Sequence, residues 1–175
     1  MKAGNPTVVG LDLSLTSTGV SDGRHHQAVQ PRGLRGEERL ERIRSEVFGI
    51  AGGAGLVVIE GMAYGRGAQA GHSELAGLHW LIRWTLHRAR IPFAVVPPTA
   101  LKLAVAGKGN ASKPEMVAAV DAAHGTDFAS VRLSHGRYDM ADAFALAAVG
   151  YAHISQPLDG ERYKCSADWP ELICM

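Results

Sequence analysis

A chain of 175 residues is sized for one domain with a real core, and 46% hydrophobic with 20% charged residues excludes a disordered or membrane-spanning polypeptide. No apolar run approaches the roughly 18 residues of a membrane helix, and no signal-like apolar stretch follows Lys2, so a cytoplasmic setting without membrane contact is expected. A net charge of +1 decides nothing about nucleic acid, but its distribution is uneven: nine bases between Arg66 and Arg137 face four acids, a candidate phosphate-binding surface or a merely solvated one.

In chain order, "TVVGLDLS" (7–14) is rich in strand formers, and "TSTGVSDG" after it reads as its hairpin partner. "HQAVQ" is a weaker third strand. "GEERLERIRSEVFGIA" (36–51) places Leu40, Ile43, Val47 and Ile50 at helical spacing and ends at glycines. "LVVIE" is the nearly all-apolar strand of a sheet covered on both faces. A glycine-rich loop, "GMAYGRGAQAG", precedes a helix from Ser73 to Arg90, and "IPFAVVPP" is another buried strand. Two short helices, "TALKLAVAG" and "SKPEMVAAVDAAHG", flank the loop "KGNA"; a last helix, beginning near Asp139, runs to His153. Three antiparallel strands followed by alternating helices and strands predict an α/β fold, a mixed five-stranded sheet with helices on both faces. One domain over 1–155 and an irregular tail over 156–175 are expected; Cys165 and Cys174 in that tail lack metal-site or disulfide-framework spacing.

Four acids stand where the apolar pattern gives them no structural reason. Asp12 lies between Leu11 and Leu13 in the first strand, Glu60 ends "LVVIE", and Asp139 and Asp142 open the last helix on one face. Each has a structural alternative, such as a helix-dipole partner for Asp139 or a solvated strand end for Glu60. Converging, they would repel one another strongly unless neutralised. Two divalent cations would do so, and oxygen-only ligands suit Mg²⁺ or Mn²⁺.

"VVGLDLSLTSTGV", "VVIEG", "ALKLAVAGKGNASKPEMV" and "DMADAFALA" resemble, in order, the motifs of RuvC-type Holliday junction resolvases, phage-type members included. Lys102 and Lys113 flank "VAGKG" eleven residues apart, as two important lysines of that family do. The resemblance implies an RNase H-like fold, Asp12, Glu60, Asp139 and Asp142 as ligands of two Mg²⁺ per active site with Mn²⁺ able to substitute, and junction cleavage in bacterial or phage-infected cytoplasm. Lys113 is assigned nearer the chemistry, Lys102 and Lys108 nearer the DNA backbone; solvated helix lysines are the alternative. The family's aromatic three residues after the glutamate is replaced here by Ala63, with Tyr64 one place later. Tyr64 and Arg66 are candidate DNA contacts, by stacking and by phosphate binding, on what is otherwise a surface loop.

The helix from Ser73 to Arg90 is apolar on two faces: Leu75, Leu78, Ile82 and Leu86 on one, Ala76, Trp80 and Trp84 on the other. Burial of both is expected, the second by another copy of the chain or by the tail with Trp169. The resemblance favours a homodimer with branched DNA as its substrate. Other functions remain open: an actin-like or sugar-kinase ATPase suggested by "GLDLSLTSTG", a non-catalytic junction binder, a looser debranching nuclease, or a hybrid-cleaving RNase H.

Overall fold

A computed structural model of the chain describes residues 7–62 and 71–154. The elements are β1 (Val8–Asp12), β2 (Thr18–Ser21), β3 (His26–Val29), α1 (Gly36–Ala51), β4 (Leu56–Glu60), α2 (His72–Arg88), β5 (Phe93–Val96), α3 (Pro98–Ala106), α4 (Lys113–His124) and α5 (Arg137–His153). Two 3₁₀ turns absent from the sequence reading, Phe128–Ser130 and Leu133–His135, lead into α5. The tail expected over 156–175, with Cys165, Trp169 and Cys174, lies outside the described residues.

The five strands form one sheet in the order β3-β2-β1-β4-β5, with β1, β2 and β3 antiparallel and β4 and β5 parallel to β1. Strand residues alternate between two cores. Val8, Leu56, Val58 and Val96 pack under α3, α4 and α5. Val9, Leu11, Val57, Ile59 and Phe93 pack under α1 and α2. Covering both faces explains why "LVVIE" is almost uniformly apolar rather than alternating with polar residues. α1 occupies the expected span, but Ile50 stands exposed while Ala51 is buried, because the last turn carries Ile50 off the core face.

α5 is buried along most of its length, and two glycines set how closely it lies on the sheet. A Cβ on Gly10 of β1 would fall 2.0 Å from the Ala143 carbonyl oxygen and 2.6 Å from the Ala147 nitrogen. A Cβ on Gly19 of β2 would fall 1.9 Å from the Asp139 carbonyl oxygen. Both are backbone collisions, which no rotamer change relieves. At mid-helix, the Phe144 ring meets His26, His124 and Phe128 edge-on, at centroid separations of 5.4, 5.0 and 5.8 Å. Ring packing thus pins α5 against β3 and α4 while the glycines admit its backbone.

Gly10→Ala should destabilise the fold by about 3 kcal/mol, at the upper end of overpacking costs, and lower the melting temperature by roughly 6–12 °C. Differential scanning calorimetry checks this; an unchanged melting temperature would show that α5 can lift without cost.

Candidate active site

The parallel strands β1 and β4 run in register, Leu11 beside Ile59, and each ends one residue later, at Asp12 and at Glu60. Carboxyl ends of parallel strands are where open α/β sheets place their ligand sites. Leu11 and Ile59 face the α1–α2 core, so alternation turns Asp12 and Glu60 toward α5. Asp12 also pairs with Gly19 on the other side, and the closeness of α5 to Gly19 brings its first turns over these strand ends. The pocket there, about 250 Å³, is lined by Asp12, Glu60 and Asp142, by Lys102 of α3 and Lys113 of α4, and by apolar side chains including Leu13, Met62 and Met116.

Of the residues singled out from the sequence, the fold gathers Asp12, Glu60, Asp142, Lys102 and Lys113 around one cavity. Asp139 lies at its edge, its carboxylate 3.9 Å from the Lys113 ammonium. It sits in the first turn of α5, where the helix dipole favours a carboxylate, although α5 starts after Gly136 and has no side-chain cap. Lys108 is outside the pocket, ion-paired to Glu115. Glu115 in turn closes a capping box at the start of α4, accepting from the Ser112 backbone N–H at 2.8 Å. Tyr64 and Arg66 lie outside the described residues. His79 of α2 also lines the cavity, one helical turn after Leu75. The sequence reading missed it, because that helix was searched only for apolar periodicity; the pairing with Leu75 at i, i+4 was the available signal.

Electrostatics bind the acids into one system. Burial, then the charges of Glu60, Asp142 and Asp139, raise Asp12 well above the usual carboxylate range, and its protonated form donates a hydrogen bond to Glu60. Glu60 is raised chiefly by burial, against lowering by that hydrogen bond and by Lys102 and Lys113. Asp142 is pushed up to about 7 by burial and by Glu60, with Lys113 and Lys102 opposing. Two lysines therefore offset the acid charge without neutralising it.

Among the described residues, no three Asp, Glu, His or Cys side chains close on a common centre as a ready-made ion cage. The carboxylates instead line an open pocket in which burial resists their ionisation, reinforced for Asp12 and Asp142 by the neighbouring acids. Oxygen-only donors and uncompensated negative charge fit a hard divalent cation. No helix among the described residues is long and apolar enough to cross a membrane.

No protein-family model and no curated protein matches the sequence. Solved structures do match the fold. The Thermus thermophilus RuvC structure aligns with a TM-score of 0.63 at 24% identity, over 86% of this chain and 97% of that one. T. thermophilus RuvC in complex with Holliday junction substrate aligns with a TM-score of 0.67 at 23% identity, over 87% and 98%. The likeness establishes a RuvC-type, RNase H-like fold.

The raised carboxyls bind protons more readily folded than unfolded, so without divalent ions they cost stability as pH rises from about 4 to about 7. His26 and His79, both lowered chiefly by burial, act in the opposite sense as pH falls below about 6.5. Comparison of wild type with Asp142→Asn isolates the carboxyl contribution. Metal-free Asp142→Asn should melt at least about 3 °C above wild type at pH 8, with the gap narrowing at pH 5 and closing at about pH 4. Excess Mg²⁺ or Mn²⁺ at pH 8 should raise the wild-type melting temperature more than that of the variant. Equal thermal melts for the two proteins across this range would refute the electrostatic reading.

Proposed function

Taking the RuvC-type fold as the premise, we propose that this chain is a divalent-metal-dependent endonuclease that resolves four-way DNA junctions in recombination and repair. The observation that carries this is the convergence of Asp12, Glu60 and Asp142 with Lys102 and Lys113 at the carboxyl ends of β1 and β4. A similar fold has been seen holding Holliday junction substrate. Asp12, Glu60 and Asp142, with Asp139 at the edge, would hold two Mg²⁺ ions, or Mn²⁺ in their place. Such a pair supplies Lewis acidity to the phosphate and an activated water at neutral pH. Lys113, already beside Asp139, and Lys102 stabilise the charge that develops on the phosphate. Water displaces the 3′-oxygen in line, leaving a 5′-phosphate and a 3′-hydroxyl. Tyr64 and Arg66 belong to this reading as junction contacts, and Lys108 as a backbone contact that must first release Glu115.

Symmetric cutting needs two sites, and α2 offers a surface for pairing. Its Leu78, Ile82 and Leu86 are buried, but Trp80 and Trp84 are 64% and 59% exposed, so the described residues bury only one of the helix's two apolar faces. Arg83 stacks on Trp80 at 4.4 Å and Arg88 on Trp84 at 5.9 Å from the ring centroids. Exposed tryptophans with arginine partners are typical anchors of protein interfaces. We assign this face to an isologous homodimer.

Labelled four-way junction, flap, RNA–DNA hybrid and linear duplex, each with and without Mg²⁺, test the activity. Paired nicks in the junction, only with the ion, are expected. Asp12→Asn and Asp142→Asn should each lose at least about a hundredfold in rate while still binding the junction. Wild-type cleavage by both variants would sink the mechanism, and faster cutting of hybrid or flap would reassign the substrate. For the dimer, sedimentation should show wild type as two copies and the Trp80→Ala, Trp84→Ala double variant as one; a wild type that sediments as a monomer with junction bound rejects the assignment.

A further inference from the structure

Among the described residues, the pocket has one polar lining side chain that the proposed chemistry leaves unused. His79 is 8% exposed and comes from α2, on the face of the sheet opposite α3, α4 and α5. The acids rise from the strand ends and α5, and the lysines from α3 and α4. The α2 side contributes two residues to the lining, Leu75 and His79, so His79 is the polar group of that wall.

Two observations separate His79 from the acid system. The charged group that acts on it is Arg83, whereas Asp12, Glu60 and Asp142 act on one another and on the lysines. Burial, then Arg83, lower its pKa to about 4, so the ring is neutral in the physiological range. A neutral imidazole adds no charge, but it keeps one N–H donor and one acceptor nitrogen. No hydrogen bond is formed by its ring among the described residues. The ring nitrogens are not among the buried side-chain atoms left without a partner, so they reach the solvent of the cavity and are open to a partner that enters it.

We propose that His79 contacts the substrate directly, donating its ring N–H to a phosphate or sugar oxygen of the DNA strand seated over Asp12, Glu60 and Asp142. This rests on the nuclease reading above. Lys102 and Lys113 bind the strand from one wall by charge, and His79 holds it from the other by an uncharged hydrogen bond. A lysine on the α2 wall would pair with the carboxylates; a neutral donor leaves them to the cations while fixing where the strand lies. His79 is therefore a substrate contact and not an additional metal ligand.

Three variants test this: His79→Phe removes the donor and fills the space, His79→Ala removes both, and His79→Asn retains an N–H. Each is checked by thermal melting, then assayed for Mn²⁺ binding by titration calorimetry, for junction affinity in Ca²⁺, and for single-turnover cleavage in Mg²⁺. His79→Phe and His79→Ala should weaken junction affinity or slow cleavage about tenfold, with Mn²⁺ affinity unchanged, and His79→Asn should recover most of the loss. Wild-type affinity and rate in both donor-free variants would overturn the contact. Lost Mn²⁺ affinity would overturn it in favour of a metal ligand, and an equal defect in His79→Asn would reduce the residue to packing. A wild type that binds junction without cutting it rejects the nuclease reading, while the affinity arm still decides His79. No junction binding by wild type rejects both.

Discussion

Helix α5 lies on β1 and β2 with almost no side chain between the backbones, and the site depends on that approach. Gly10 and Gly19 meet the carbonyls of Ala143 and Asp139 at distances no Cβ tolerates. Van der Waals repulsion is steep, so one methyl group at either position sets the height of the whole helix. Asp139 and Asp142 ride on its first turns, and Asp12 is the register partner of Gly19. The glycines that admit the helix thus also set how near its carboxylates come to the strand ends. Phe144, ringed by His26, His124 and Phe128, holds the helix there from the other side.

Bringing the acids together is costly, and the pocket shows the cost as a raised proton affinity of Asp12, Glu60 and Asp142. Lys102 and Lys113 offset only part of it. The apolar lining, including Leu13, Met62 and Met116, lowers the local polarity and so strengthens the charge–charge interactions of the site. On the proposed reading, cations would relieve that cost and, through them, hold an anionic substrate. Lys108 illustrates the other limit: near the surface, it settles on Glu115, which also caps α4.

Much of the scaffold was legible in the residues themselves. The α1 span, the strands around "VVGLD", "LVVIE" and "FAVV", and the helices after "PP" and "NAS" follow from periodicity and glycine stops, encoded within a few residues. Asp12 and Glu60 were conspicuous because charge interrupts or ends an apolar strand. Ile50 shows where periodicity fails: ideal helical spacing placed it on the core face, yet the packing of α1 leaves it exposed and buries Ala51.

What the sequence by itself determined is chemistry and local form: which segments are strands or helices, and which acids and lysines lack a structural reason. Those properties depend on neighbours along the chain. Only the tertiary structure decided that Asp142 meets Asp12 and Glu60, that Lys108 stays out of the pocket, that Trp80 and Trp84 face outward, and that His79 faces in. Helical spacing within α2 separates its two faces, but which face the core buries, and which acids meet, follow from the packing of elements against one another, set by the sheet order and by the two glycines under α5.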